Sequence, residues 1–258
     1  MSETEPLSET VPEGAPEDSG FLLRDAVWLL VAYIGAQILV VAIYMLVDTL
    51  LRQGQGSPLT ATSDGVNRLV VVGGLGTSVV VLFLLRWIAR HRHAGLAAFG
   101  LVWPRARWMG VAVLAFVAFQ IVIRGLTLLA GDNVASQSLL TMNGLVSGEA
   151  AWNIVSAVLI VLILPVIEEL LFRVVLFRAL ARHMPPMLAA GLAVVVFGAV
   201  HVQYVFAGGL VGVLMTFEIV LLGAVLMWLY LRSGSILPSI FFHVANNALA
   251  FLALLFVS

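Results

Sequence analysis

The chain has 258 residues, of which 62% are hydrophobic and only 10% charged, and its mean hydropathy is +1.09. Soluble domains carry about 25% charged residues, so the composition excludes a soluble globular protein and predicts a polytopic membrane protein. A formal net charge of −1 gives no reason to expect a nucleic-acid partner, and the absence of cysteine excludes disulfides, thiolate catalysis and cysteine metal ligands.

Residues 1–20 differ from the rest of the chain. They are rich in Ser, Thr, Pro and Glu and hold six of the 14 acidic residues, a composition that predicts a disordered tail. The segment has no basic n-region, so we do not expect a cleavable signal peptide. Residues 21–258 are predicted to form one transmembrane domain.

Seven apolar stretches are long enough to cross about 30 Å of hydrocarbon at about 1.5 Å per residue. They predict an all-α bundle of about seven transmembrane helices, of which the fifth is the shortest. The predicted helices are Ala26–Leu50, Leu69–Ile88, Trp108–Leu129, Trp152–Phe172, Met187–Val202, Leu210–Leu231 and Ile236–Val257.

All basic residues are arginines, and they are unevenly placed. Residues 86–107 and the turn after the fourth helix are rich in arginine, whereas the loops on the other side hold few. By the positive-inside rule we expect the tail to be cytoplasmic and the C-terminus to lie outside. The arginine-only, Ala-, Val- and Gly-rich composition is typical of a GC-rich bacterial genome, so we expect the cell membrane as the location.

The fourth helix carries three charged residues, Glu168, Glu169 and Arg173. Charged groups within the bilayer are costly and commonly mark a site. Glu169 and Arg173 are four residues apart, which suits an ion pair along one helix face. Glu168 points about 100° away and needs another partner, so it is a candidate general base or acid. The alternative is a purely structural ion cluster.

His201 follows Phe197 by four residues on the fifth predicted helix. The midpoint between positions 168 and 201 lies between Met184 and Pro185, within the turn signal His183-Met184-Pro185-Pro186. If both helices run to that turn, Glu168 and His201 lie at equal depth and could share one water molecule. The alternative is a core histidine satisfied by a local partner.

His243 and Asn247 are four residues apart on the last helix and share a face. Together they could donate hydrogen bonds to one anion, as an oxyanion hole does in acyl transfer. The alternative is a polar clamp between helices. For His243 to reach the depth of Glu168, the hairpin of helices four and five must project about 10 Å further into the cytosol.

Three motifs carry a resemblance to a known family. They are Glu168-Glu169-x-x-x-Arg173, Phe197-x-x-x-His201 and His243-x-x-x-Asn247, in this order on membrane helices. The arrangement resembles the CAAX protease and bacteriocin-processing family, also called the Abi family, of intramembrane endopeptidases. The similarity implies a catalytic core at about residues 150–255, and the three helices before it match no family signature.

The resemblance implies roles for these residues. Glu168 and His201 would activate the attacking water, His243 and Asn247 would stabilise the oxyanion, and Glu169, Arg173 and Phe197 would give structural support. We expect no cofactor. A zinc-dependent version, with Glu168, His201 and His243 as ligands and an open position for water, is the alternative; the chain lacks the paired histidines of helix-borne zinc proteases.

The leading hypothesis is therefore an intramembrane endopeptidase that cleaves a membrane-embedded or membrane-anchored polypeptide near the cytoplasmic leaflet. A peptide precursor, signalling peptide or membrane regulator is a better expectation than a prenylated protein. The alternative from another class is a non-catalytic scaffold or immunity protein of protease descent, or a proton-coupled transporter. Glu218 on the sixth helix is a further intramembrane acid, to which no motif assigns a role.

Overall fold

The computed structural model describes residues 20–51, 63–142 and 145–256. The predicted disordered tail, residues 1–20, lies outside the described residues except for Gly20. The described ranges form helices and connecting turns without any strand, which confirms the all-α prediction. The eight main helices are α1 Leu23–Leu51, α2 Ser63–His91, α3 Ala106–Ala130, α4 Asp132–Met142, α5 Ala150–Ala181, α6 Pro186–Val200, α7 Gly209–Ser233 and α8 Leu237–Leu255.

Six of these helices, all except α4 and α6, are long and apolar enough to cross a membrane. The shortest predicted helix corresponds to α6, which has 15 residues and so covers about 22 Å. A 3₁₀ segment, Val202–Ala207, extends it. The sequence pattern did not predict α4.

Helix α5 is longer than predicted, because it continues to Ala181 instead of ending at Phe172. The prediction ended at the first arginine, but the structure buries both Arg173 and Arg178 inside the bundle. Arg178 donates hydrogen bonds to the Tyr230 hydroxyl and the Ala98 carbonyl, each at 2.6 Å. Arg178 is thus a packed residue of α5, although its sequence position suggested the turn.

Two wide π-helical turns, Val158–Ile163 and Leu170–Leu176, interrupt α5 on either side of Leu164–Glu169. Such turns are frequent at functional sites. Pro165 accounts for the first, because a proline has no amide to continue the helical ladder. Glu168 and Glu169 lie on the short α-helical stretch between the two π turns.

The two ends of the bundle differ. At the arginine-rich end, α1, α5, α6, α7 and α8 meet the α2–α3 loop, and hydrogen bonds such as Ile236 amide to Gly100 carbonyl at 3.0 Å join them. Its arginines are Arg24, Arg86, Arg90, Arg92, Arg105, Arg107, Arg178, Arg182 and Arg232. At the opposite end, Asn67 at the start of α2 donates to the Leu145 carbonyl before α5 at 2.8 Å.

The hydrophobic core is concentrated at the arginine-rich end. Its largest buried cluster includes Leu85, Leu176 and Ile236. The opposite end holds two small clusters, around Val134 and Val146. The candidate site lies between these regions, on the boundary of the large core.

Candidate active site

Glu168 lies at the centre of the polar residues that the motifs identified. The residue is 94% buried, and its carboxylate has one histidine on each side. The Oε1 atom is 4.0 Å from His201 Nε2, and the Oε2 atom is 3.8 Å from His243 Nε2. The structure therefore brings Glu168 together with both histidines. Glu168 and His201 lie at the same depth in the bundle, as predicted.

A third partner of Glu168 comes from α1. The Tyr33 hydroxyl donates a hydrogen bond to Glu168 Oε1 at 3.0 Å, and both groups are buried. This bond supplies the partner that a carboxylate in apolar surroundings needs. Sequence reasoning missed Tyr33, because a single tyrosine in an apolar helix carries no signature of its own.

His201 is oriented by the backbone of its own motif. Its Nδ1 atom is 2.8 Å from the Phe197 carbonyl oxygen, and a carbonyl can only accept, so Nδ1 carries the proton of the neutral ring. The lone pair of Nε2 is then directed to the Glu168 side. The Tyr204 ring lies parallel to the imidazole, with 6.3 Å between centroids.

His243 is held in the same way by a carboxylate. Its Nδ1 atom lies 2.9 Å from Glu169 Oε1, which leaves Nε2 facing Glu168. When the ring is protonated, Nε2 becomes a donor, and the Glu169 carboxylate stabilises the positive charge. Glu169 therefore orients His243, a role beyond the structural support that the sequence suggested.

Glu169 also forms the predicted pair with Arg173, whose Nη1 atom is 3.0 Å from Oε1. The guanidinium further donates to the Gly223 carbonyl at 3.3 Å and lies over the Phe197 ring at 4.5 Å from the centroid. The guanidinium therefore contacts a carboxylate, a backbone carbonyl and an aromatic ring in this buried cluster.

Phe197 fills the space between these groups. It is 1% exposed, and its ring centroid is 4.7 Å from that of His201 and 6.2 Å from that of His243. A T-shaped contact with Phe172 at 5.2 Å fixes its other side. Its predicted supporting position fits these contacts, because the ring packs against Arg173 and both histidines.

Asn247 has a backbone contact that the sequence did not predict. Its side-chain amide donates to the Ile160 carbonyl at 3.0 Å. In the π register of this turn, the donor for that carbonyl would be the amide of residue 165, and Pro165 has none. Asn247 thus supplies the hydrogen bond that the Ile160 carbonyl would otherwise lack because of Pro165. An Asn side chain has a second N–H, and Asn247 also lines the cavity described next.

A cavity of about 670 Å³ adjoins the site and is lined by Glu168, His201, His243 and Asn247. Glu218, to which no motif assigned a role, lines the same cavity opposite Arg124, and the two charges attract each other. The neighbouring amide of Asn246 accepts a hydrogen bond from Gln120 at 2.8 Å.

The zinc alternative requires Glu168, His201 and His243 to surround one point. Ligand atoms about 2 Å from a tetrahedral ion lie about 3.3 Å from one another. Here, the two oxygens of Glu168 face different rings: Oε1 is 4.0 Å from His201 Nε2, and Oε2 is 3.8 Å from His243 Nε2. Across the described ranges, no three His, Asp or Glu side chains are arranged to hold a metal ion. The three residues as placed do not fit zinc, and we derive no step through a metal.

Comparison with known proteins agrees with the family resemblance that the three motifs indicated. Residues 150–249 match a family model that is described as "Rce1-like: Type II CAAX prenyl endopeptidase Rce1-like". This range is close to the predicted catalytic core at about residues 150–255. No curated protein matches the chain, and neither does any solved structure. By this match and the three motifs within it, residues 150–249 are similar to the CAAX protease family of membrane endopeptidases.

Proposed function

We propose that the protein is an intramembrane endopeptidase with Glu168 as its general base and no metal in the reaction. The observation that carries the proposal is the Glu168 carboxylate between two imidazole Nε2 atoms, at 4.0 and 3.8 Å, on the wall of a cavity. A carboxylate and histidines at such spacing can exchange a proton through one water molecule.

In the first step, a water between Glu168 and His201 attacks the scissile carbonyl. A gap of 4.0 Å lets one water lie about 2.8 Å from both atoms. One proton of the water moves to Glu168 and the oxygen bonds to the carbonyl carbon, which gives a tetrahedral oxyanion. The proton then passes to the amide nitrogen as the C–N bond breaks, so the base returns to its ionised form.

The oxyanion needs donors on the other side of the carbonyl. Protonated His243 offers Nε2–H, held in orientation by the Glu169 contact at Nδ1. The second N–H of Asn247 is the other candidate donor. A donor of this kind contributes about 3–4 kcal/mol to transition-state stabilisation.

The test is cleavage of a peptide library by purified protein. Glu168→Gln and His201→Ala are each expected to lower kcat by at least about 10³-fold, with thermal unfolding close to that of the parent. Glu149→Gln and His183→Ala are the matched controls, because both residues lie outside the cluster and are expected to leave the rate unchanged. Full proteolysis by Glu168→Gln would refute the assignment of the base.

Two further outcomes decide between alternatives. Stoichiometric zinc in the purified protein, lost on mutation of His201 or His243, would replace this mechanism with the zinc-dependent one. Rescue of a deletion phenotype by Glu168→Gln would favour the non-catalytic scaffold.

Asn247 has a structural contact and a proposed chemical role, and a double substitution separates them. Asn247→Ala leaves the Ile160 carbonyl unpaired, which costs about 1–3 kcal/mol. Pro165→Ala restores an amide that can reach this carbonyl, so the double variant is expected to regain stability but not activity. Recovery of both would show that Asn247 acts only through the backbone of α5.

A further inference from the structure

The cavity at the site extends towards one end of the bundle only. Beyond the catalytic depth, its walls come from the start of α2, the end of α3 and the end of α8. Val66, Leu69, Thr127 and Ala253 are examples. Ser138 of α4 and Leu145 also line it. All these positions belong to the end opposite the arginine-rich one.

The other direction is closed by packing. Phe172 and Phe177, which follow Glu168 on α5, and Tyr230 near the end of α7 are buried on the arginine-rich side. Phe177 and Tyr230 make a T-shaped contact at 6.0 Å between ring centroids. The cavity walls contain no residue of the arginine-rich end. Within the described part of the chain, therefore, the cavity leads from Glu168 to the arginine-poor end.

The arginine distribution indicates which side that is. Nine arginines flank one end of the bundle, from Arg24 to Arg232, whereas Arg68 and Arg124 lie in the opposite half of the described residues. Loops rich in arginine stay in the cytoplasm. The open end then faces the non-cytoplasmic side.

We propose that the site receives its substrate from the non-cytoplasmic side, and that the substrate is an extended polypeptide segment exposed there. The inference rests on the proposed proteolysis. It replaces the expectation from sequence of cleavage near the cytoplasmic leaflet. A lipid-modified chain end presented in the cytoplasm could not reach Glu168 by this route.

The cavity walls suit such a segment. Arg124 and Glu218 lie beyond the catalytic groups, and Gln37 and Gln203 add neutral hydrogen-bonding groups. Charges of both signs and amides can bind the backbone and polar side chains of a peptide. Most of the other lining side chains are apolar and can contact the apolar side chains of the same segment.

The chain has no cysteine, so single cysteines can report accessibility without background. Ala250→Cys places a thiol on the cavity wall two turns beyond His243. Ser136→Cys on exposed α4 and His183→Cys in the exposed turn at the arginine-rich end report orientation. Ala118→Cys, on an exposed face of α3 away from the cavity, is the matched control.

Intact cells and inverted vesicles are treated with a charged, membrane-impermeant maleimide. We expect Ser136→Cys and Ala250→Cys to react in intact cells, His183→Cys only in inverted vesicles, and Ala118→Cys in neither. Reaction of Ala250→Cys is expected to lower cleavage at least tenfold. Thr127→Cys, on the same wall, serves if Ala250→Cys fails to fold.

Reaction of Ala250→Cys only in inverted vesicles, or from neither side, would overturn the proposal. So would reaction of Ser136→Cys only in inverted vesicles, because the bundle would then be inverted. Labelling needs no proteolysis. The expected pattern in a protein without any cleavage activity would uphold the opening but refute the proposed function, so the two failures are distinguishable.

Discussion

Tyr33→Phe tests whether α1 takes part in the catalytic site. The substitution removes one hydroxyl and keeps the ring, which contacts Phe172 at 6.4 Å between centroids. The hydroxyl donates to Glu168 Oε1 at 3.0 Å. Such a bond fixes the position of the carboxylate that accepts a proton from water in the proposed mechanism.

The magnitude follows from the value of a hydrogen bond to a charged group, about 1.5–3 kcal/mol. At about 1.4 kcal/mol per tenfold, the bond corresponds to a change of about 10- to 100-fold. Tyr33→Phe should therefore lower kcat/KM by about 10- to 100-fold, because Glu168 loses the donor that holds its carboxylate in position.

The assay is kcat/KM for a cleaved peptide, measured for the parent, Tyr33→Phe and Tyr44→Phe together with thermal unfolding of each. Tyr44 is the matched control, because it lies on the same helix and its hydroxyl meets a backbone carbonyl, that of Gly65, at 3.5 Å. Tyr44→Phe should leave kcat/KM unchanged. A kcat/KM of Tyr33→Phe equal to that of the parent would refute the role of Tyr33 in holding Glu168.

Further predictions concern the groups around the histidines. A Cβ at Gly223 would lie 2.9 Å from a ring carbon of Phe197, so Gly223→Ala should displace that ring and lower kcat about tenfold. Gly191→Ala, where a Cβ meets no atom within 4 Å, should leave kcat unchanged, and equal kcat in both variants would contradict the packing argument. Glu169→Gln leaves the buried Arg173 guanidinium without its anion and should lower the unfolding free energy by about 3–5 kcal/mol, measured by denaturation in detergent. An unchanged denaturation midpoint would show that the guanidinium finds another partner.

The sequence predicted those parts of the site that depend on spacing within one helix or one hairpin. The pair of Glu169 and Arg173 follows from their separation by four residues, and the structure has it at 3.0 Å. The common depth of Glu168 and His201 follows from the turn at Pro185. In both cases, helical rise and rotation are enough, because no other part of the chain affects the geometry.

Contacts between helices distant in sequence could not be predicted in this way. The bond from Tyr33 to Glu168 joins residues 135 positions apart, and the contact of His243 with Glu169 depends on how α8 packs against α5. The position of Asn247 depends on a π turn, which the spacing of apolar residues in the sequence does not predict. In each case, the partner is chosen by the packing of whole helices.

The position of Tyr33 also bears on how the family match is understood. The match covers residues 150–249, but Glu168 needs a donor that this segment does not give it among the described contacts. Arg173 pairs with Glu169, His201 and His243 each use Nδ1 elsewhere, and Asn247 donates to Ile160. A buried carboxylate without a hydrogen bond is costly, so α1 is part of the site although it carries no family motif.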